Sequence, residues 1–215
     1  MKRFILIFST LLVCLLATSV RLVAGDSSAQ PKANIAYQDG SVRFTVITDG
    51  VIRLEWQPEG RFTDLASFVA SEREYPEVEY KVRQRGKSLE ISSSKMILKY
   101  KVGTGAFASD NLEIKAVDGF FTWKPGMKQK ENLKGTFRTL DGLEGDLQTQ
   151  TWVKDSPKGE HRPFEDGILA KDGWTLIDES QNLLFDDSDW AWVKEREAGE
   201  CQDWYFMAYG HDYKA

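Results

Sequence analysis

The sequence predicts an all-β fold in which antiparallel strands pack as a sandwich. Short segments alternate between apolar and polar residues, which is typical of strands that bury one face. Turn-forming residues separate these segments at short intervals, as in β-sandwiches. The chain has 215 residues, of which 41% are hydrophobic and 12% aromatic, so it can form a core of its own.

The clearest local signal is a hairpin near the start of the domain. Residues 41–48 and 51–57 each alternate between apolar and polar side chains. Asp49-Gly50 lies between them, and Asp-Gly favours the tight turn that joins two antiparallel strands. We therefore predict a β-hairpin, with Trp56 on its buried face.

The rest of the chain adds strands and one long irregular segment. Further strands are predicted over residues 78–82, 89–91, 96–102, 112–114, 174–177, 182–185 and 204–209. A short helical turn is predicted over 67–74, and Trp174 and Trp204 are predicted to join Trp56 in the core. Residues 124–163 show little periodicity, and a loop of this length in a compact domain is usually functional or disordered.

The N-terminus predicts an export signal. Lys2 and Arg3 precede an apolar run over residues 4–17, and small residues follow up to Gly25. The run is shorter than the roughly 20 residues that span a bilayer. We predict a signal peptide over 1–25, a domain over 26–215, and export to the periplasm or the medium, with a membrane anchor as the alternative.

The charge argues against a nucleic-acid partner. The net charge is −5, and removal of residues 1–25 makes the chain more acidic because they contain bases and no acids. Acids outnumber bases after residue 141. These carboxylates either form a solvated acidic face or point at a neutral polar ligand or a neighbouring domain.

The sequence gives little indication of nucleophilic catalysis or of chemistry that depends on a metal or a cofactor. The chain has two histidines, neither in a nucleophile-elbow setting, and only Cys201 remains after signal cleavage. Zinc needs clustered Cys and His, and no glycine-rich phosphate loop occurs, so no metal or cofactor is predicted. Asp186-Asp187-Ser188-Asp189 lacks the glycine and distal Glu of a calcium loop, which favours an exposed acidic turn.

Carboxylates and aromatic rings are the remaining chemical resources. Glu165 and Asp166 are adjacent and would diverge on a strand, so they form a poor acid–nucleophile pair for glycoside hydrolysis. Trp152 lies in the long irregular segment and is the best candidate for a ring that stacks on a ligand. Most other tryptophans are expected to fill the core.

Three longer motifs carry a family resemblance. Residues 165–180 read EDGILAKDGWTLIDES, residues 202–215 read QDWYFMAYGHDYKA, and residues 135–142 read GTFRTLDG. Together with the strand that begins VIRL at residue 51, they resemble the N-terminal part of glycoside hydrolase family 31. The resemblance covers about residues 33–215.

The resemblance implies a fold and also implies which domain holds the catalytic residues. It implies a galactose-mutarotase-like β-sandwich that precedes a (β/α)8 barrel of about 250 residues. In the family the two catalytic aspartates of a retaining mechanism lie in the barrel, and no residue of this chain matches either. We therefore expect no catalytic residue here, and a chain that is inactive alone.

The resemblance also implies a substrate and partners. The parent would be an α-glucosidase that acts on α-linked oligosaccharides through its barrel, with no membrane contact after signal cleavage. An α-xylosidase parent or a stand-alone carbohydrate-binding module is the alternative. A third possibility is a domain that only packs on its barrel.

In the family a loop of the sandwich reaches over the barrel mouth and helps to shape the sugar pocket. The matching stretch is 141–166. Asp141, Glu165 and Asp166 are therefore predicted to contact sugar hydroxyls, and Trp152 to supply a ring. The alternative for the acids is turn chemistry and strand entry, because Asp-Gly is itself a turn signal.

Overall fold

Strands dominate the parts of the chain that the structure describes. The computed structural model describes residues 34–134, 151–152, 161–162 and 166–214, with the backbone alone at 151–152 and 161–162. All of these residues belong to one compact unit, Pro31–Ala215. Residues 1–25 lie outside the described residues, so the signal peptide stays a prediction.

In chain order the strands are β1 (Ile35–Asp39), β2 (Val42–Thr48), β3 (Val51–Trp56), β4 (Lys81–Arg85), β5 (Ser88–Ser92), β6 (Met96–Lys101), β7 (Leu112–Ala116), β8 (Thr122–Trp123), β9 (Thr151–Trp152), β10 (His161–Arg162), β11 (Trp174–Asp178), β12 (Leu184–Phe185), β13 (Val193–Lys194) and β14 (Gln202–Ala208).

Two five-stranded antiparallel sheets form the body of the domain. The first sheet has the order β1-β2-β3-β14-β11, and the second has the order β4-β5-β6-β7-β8. β9 pairs with β10 and β12 with β13 in two small hairpin-like sheets. The prediction of an all-β antiparallel fold is confirmed.

The core lies between the two large sheets. Phe44 of β2 contacts Tyr100 of β6 edge to face, with ring centroids 5.4 Å apart. Trp123 of β8 packs on Phe206 of β14 at 4.8 Å and lies 6.1 Å from Trp174 of β11. Such aromatic contacts across the layers bury large areas, so these rings hold the sandwich together.

The tryptophan predictions for the core hold. Trp174 and Trp204 are buried, and Trp56 is partly buried against the same core. The predicted hairpin is β2–β3, with Val46 opposite Ile52 and an irregularity at the turn.

Two element predictions were wrong. Residues 67–74 form no helical turn; instead Ser67 makes an isolated bridge with Leu184, which draws this segment onto the hairpin β12–β13. The strand predicted over 78–82 begins later, at Lys81, because Val78 and Tyr80 pack against the core outside the sheet ladder. No helix among the described residues is long and apolar enough to cross a membrane.

Candidate functional site

The first sheet is unusual in that its outer face is buried as well. On β2, β3 and β14 the register places Arg43 opposite Glu55, and Glu55 opposite Asp203. The next pair of positions holds Arg53 opposite Tyr205. Alternation puts these side chains on the face away from the core, yet all of them are less than a tenth exposed.

Arg53 is the centre of a charged network on this face. Its guanidinium donates to both carboxylate oxygens of Asp203, at 2.8 Å and 2.7 Å, and lies 3.1 Å from Glu55. Arg43 donates to both oxygens of Glu55, at 2.6 Å and 2.8 Å, and to Asp64. These bidentate arrangements are the strongest form of the arginine–carboxylate contact.

Two chain segments cover the network. From the segment after β3, the carbonyl of Thr63 accepts hydrogen bonds from Arg43 and Arg53, and Phe62 lies under the Arg43 guanidinium at 4.9 Å. From the segment before β14, Arg196 Nη2 lies 2.9 Å from Asp203 Oδ2. The buried charges thus fasten irregular backbone to the sheet.

The network shifts the pKa values of its members in opposite directions. Burial alone would lower the pKa of Arg53, but the hydrogen bonds and charge of Asp203, with the charge of Glu55, raise it above its ordinary value. Burial would raise the pKa of Asp203, but Arg53 holds it below the ordinary value. Burial raises the pKa of Glu55 against the lowering effect of Arg53 and Arg43.

A cleft of about 390 Å³ opens beside this network. Glu55 and Asp203 form part of its wall, and Arg61, Lys194 and Glu197 line it with charges. Its volume lies within the range of small-molecule sites. We refer to it as the outer cleft.

The chemistry available in the outer cleft does not include an obvious reaction. Glu55 and Asp203 are cross-strand neighbours held by arginines, whereas a glycosidase needs two carboxyl groups on either side of a sugar. Cys201 also lines the cleft, but burial raises the pKa of its thiol, which disfavours the reactive thiolate. Among the described residues, no group of three acids, histidines or cysteines is placed to hold a metal ion.

Of the four predicted site residues, the structure describes the side chain of Asp166 and the backbone of Trp152. Asp141 and Glu165 fall outside the described residues. Trp152 belongs to β9, where its Cα pairs with His161, but its side chain is not among those described. Asp166 is exposed and forms an ion pair with Lys134, and it does not line the outer cleft.

Sequence reasoning missed the buried charged network. The alternation of β2 and β3 predicts Arg43, Arg53 and Glu55 on the polar outer face of the hairpin, and this prediction is confirmed. The missing information was the long stretch between β3 and β4, which returns over this face. Trp190 and Trp192, which are not among the tryptophans predicted individually for the core, are exposed.

The two described motif segments converge at one place. The first motif provides β11 and the second provides β14, and these strands pair antiparallel with Trp174 opposite Ala208. Beyond the strands, Gly173 O accepts hydrogen bonds from the amides of Tyr209 and Gly210. We name segments 166–174 and 208–214 the motif end. The third motif, 135–142, lies outside the described residues.

Comparison with known proteins gives structural neighbours only. No family model and no curated protein matches the chain. A GH31 dextranase of Flavobacterium johnsoniae, complexed with glucose, is 15% identical with a TM-score of 0.44, over 86% of this chain and 27% of that one. A GH31 α-xylosidase from a soil metagenome, complexed with xylose, is 13% identical with a TM-score of 0.40, over 80% and 30%. The chain spans less than a third of the length of each of these proteins.

Proposed function

We propose that this chain is the N-terminal β-sandwich of an exported, retaining α-glycosidase of glycoside hydrolase family 31, of the α-glucosidase type. The observation that carries the proposal is the convergence of two family-like motifs. They are separated in the sequence, yet they form the paired strands β11 and β14 and a shared end. A chance resemblance would not require the two segments to meet.

The motif end has the properties of a surface that packs on a further domain. Ile168 is exposed close to Tyr209, whose hydroxyl accepts a hydrogen bond from the amide of Ala170. Phe120 is also exposed and lies 4.3 Å from the ring of His211. Adjacent exposed apolar groups mark contact surfaces, so we place the barrel of the parent enzyme here.

The share of this domain in the reaction is support and pocket shaping. The buried acids Glu55 and Asp203 are occupied by arginines and serve the sheet, which leaves the acid and nucleophile to the barrel. In this proposal the stretch 141–166 borders the sugar pocket, with Asp141, Glu165 and Asp166 at hydroxyl groups and Trp152 beside a ring. An α-xylosidase parent would use the same arrangement.

An activity assay tests the catalytic side of the proposal. The 215-residue chain is expected to release no nitrophenol from aryl α-glucosides or α-xylosides. The reading frame after the Ala215 codon is expected to encode a (β/α)8 barrel, and the longer product to hydrolyse the α-glucoside with retention. Turnover by the 215-residue chain, or a frame without a barrel, contradicts the proposal.

A pair of variants in the longer protein tests the contact surface. Ile168→Asp places a charge in the motif end and is expected to lower the stability and activity of the enzyme together. Val82→Asp, at an exposed position of β4, is the matched control and should leave both unchanged. Equal changes of stability and activity in the two variants would contradict the assignment of the motif end as the surface that contacts the barrel.

A further inference from the structure

The turn that joins β12 to β13 presents two tryptophans to solvent. Trp190 is 83% exposed and Trp192 is 67% exposed, whereas Trp123, Trp174 and Trp204 are buried in the core. An indole ring is the largest apolar side chain, and adjacent exposed examples usually mark a contact surface. These two rings therefore need an explanation other than packing.

The turn holds its shape through one carboxylate. Asp186 accepts hydrogen bonds from the Ser188 hydroxyl at 2.6 Å, the Ser188 amide at 3.3 Å and the Trp192 amide at 3.0 Å. The Asp186 amide donates to the Trp192 carbonyl at 2.8 Å, and the Ser188 hydroxyl contacts the Trp190 carbonyl. Both tryptophans are thus attached to fixed backbone, which lowers the entropy lost when a ligand binds.

The charges around the rings restrict what can bind. Asp187 and Asp189 are exposed on the same turn, and the hydrogen bonds of Ser188 and Trp192 lower the pKa of Asp186, so the turn carries negative charge at neutral pH. Lys194 of β13 acts on Asp186 as well, but three carboxylates outnumber it, so phosphate, sulfate and anionic lipid headgroups are disfavoured. A ligand with flat apolar faces and hydroxyl donors suits it, because rings can cover the faces and carboxylates can accept from the hydroxyls.

We propose that the turn 186–192 is a non-catalytic platform that binds a neutral oligosaccharide on Trp190 and Trp192. Asp187 and Asp189 accept hydrogen bonds from its hydroxyl groups, and Asp186 is a positioning residue that holds the turn. The choice of α-linked glucose units rests on the proposed function, whereas the platform itself rests on the exposed rings and carboxylates.

Calorimetric titration of the full chain with maltose and isomaltose tests the platform. We expect binding in the millimolar range or tighter, weakened more than about tenfold by Trp190→Ala and by Trp192→Ala. The melting temperature should stay unchanged, because both rings are exposed. Asp186→Ala should weaken binding without removing a ring, and Asp186→Asn, which keeps an oxygen acceptor, should restore part of it.

Two matched variants locate the binding. Phe68→Ala removes another exposed aromatic ring, which packs on Phe185 at 4.7 Å, and should leave the affinity unchanged. Val117→Ala removes part of an exposed apolar side chain between β7 and β8 and should also leave the affinity unchanged. A loss of affinity in either variant that matches the loss in Trp190→Ala overturns the platform.

Three further results would overturn it: no binding of either sugar, binding that survives both tryptophan variants, or binding of trilysine in place of sugar. A cationic ligand on the indoles would identify a different class of site. Sugar binding by the platform requires no turnover. A failure to bind sugar is therefore distinguishable from a failure of the proposed function. A parent enzyme that hydrolyses α-glucosides while this chain binds no sugar would refute the platform alone.

Discussion

At the scale of single residues, Arg53 has the greatest influence on the outer face of the first sheet. It is 2% exposed, and it contacts Asp203, Glu55 and the carbonyl of Thr63. A buried arginine of this kind adds little net stability compared with an apolar residue of the same shape. Its removal is nevertheless costly, because the carboxylates remain buried without it.

We expect Arg53→Met to lower the free energy of unfolding by about 3 kcal/mol. This value is at the lower end of the range for broken buried ion pairs, because Arg196 still lies beside Asp203. Urea denaturation measures the change. Arg61→Met is the control: Arg61 is exposed, pairs with Glu59 and Glu197, and should cost less than about 1 kcal/mol. Equal losses would show that the buried network has no special role.

The lowered pKa of Asp203 predicts a dependence of stability on pH. A carboxyl group whose pKa is lower in the folded state stabilises the protein above its unfolded pKa of about 3.9, and this stabilisation is lost as the pH falls through the folded pKa. Asp203→Asn should therefore be less stable than the natural protein at neutral pH, by a gap that narrows below about pH 4. The pKa of Glu55 shifts in the opposite sense, but the charge of Asp203 is the smallest of its causes, so this shift changes little between the two proteins.

Urea denaturation of both proteins at neutral and acidic pH gives this gap directly. Asp166→Asn, at an exposed ion pair, provides the comparison and should show no such narrowing. A gap for Asp203→Asn that is constant with pH would contradict the lowered pKa.

Period-two alternation predicted the side-chain orientation of β2 and β3 correctly, including the outward direction of Arg43 and Arg53. It could not predict that the outward face is covered, because the covering segments are irregular and carry no periodic signal of their own. The contacts that cover it connect residues far apart in the sequence, such as Arg73 with Tyr205 and Ser67 with Glu179.

At the scale of the elements, the link between β11 and β14 depends on one close approach. Gly173 has a φ of +79°, and a Cβ there would lie 2.6 Å from the Phe120 ring and 2.9 Å from the Cα of Gly210. The space is occupied in part by backbone, which cannot move aside like a flexible side chain. The glycine of the DGW motif is therefore required for packing as well as for its conformation.

We expect Gly173→Ala to destabilise the protein by more than about 2 kcal/mol. Gly119→Ala separates the two causes, since Gly119 has a φ of +80° but nothing within 4 Å of a Cβ. It should cost only the conformational strain, about 1 kcal/mol. Thermal or urea unfolding of both variants measures the difference, and equal costs would mean that the close approach is unimportant.

Prediction of the elements was best where one face is buried and alternation is complete, as in β6, and poorest at a sheet edge. β4 is exposed along its whole length, so its residues show no apolar–polar alternation. The nearby Val78 and Tyr80 gave a misleading apolar–polar alternation, because they pack on the core without joining the strand ladder of the sheet. Burial, which is a tertiary property, decided the boundary.

At the scale of the whole molecule, aromatic contacts join the two large sheets. Phe206 is fully buried and touches Trp123, Phe121 and Trp174. We expect Phe206→Ala to cost roughly 3–5 kcal/mol. Phe68→Ala, at an exposed ring, should cost no more than about 1 kcal/mol. Chemical denaturation followed by tryptophan fluorescence compares them, and similar values would show that the sheets do not depend on this cluster.

The sandwich class could be predicted for the whole molecule because the apolar pattern repeats in most strands. The functional surface could not be predicted in the same way. The type of an aromatic or acidic residue does not reveal whether its side chain faces the core, a ligand or solvent. Only the fold shows that Trp190 and Trp192 face solvent whereas Trp204 does not.

The closure of the turn between β12 and β13 also makes this position suitable for engineering. Its two ends, Asp186 and Trp192, are joined by a backbone hydrogen bond, and the strands that flank it belong to neither large sheet. A foreign peptide grafted between these two positions would begin and end at neighbouring points. The domain could thus display an inserted epitope or a different recognition loop without a break in its hydrophobic interior.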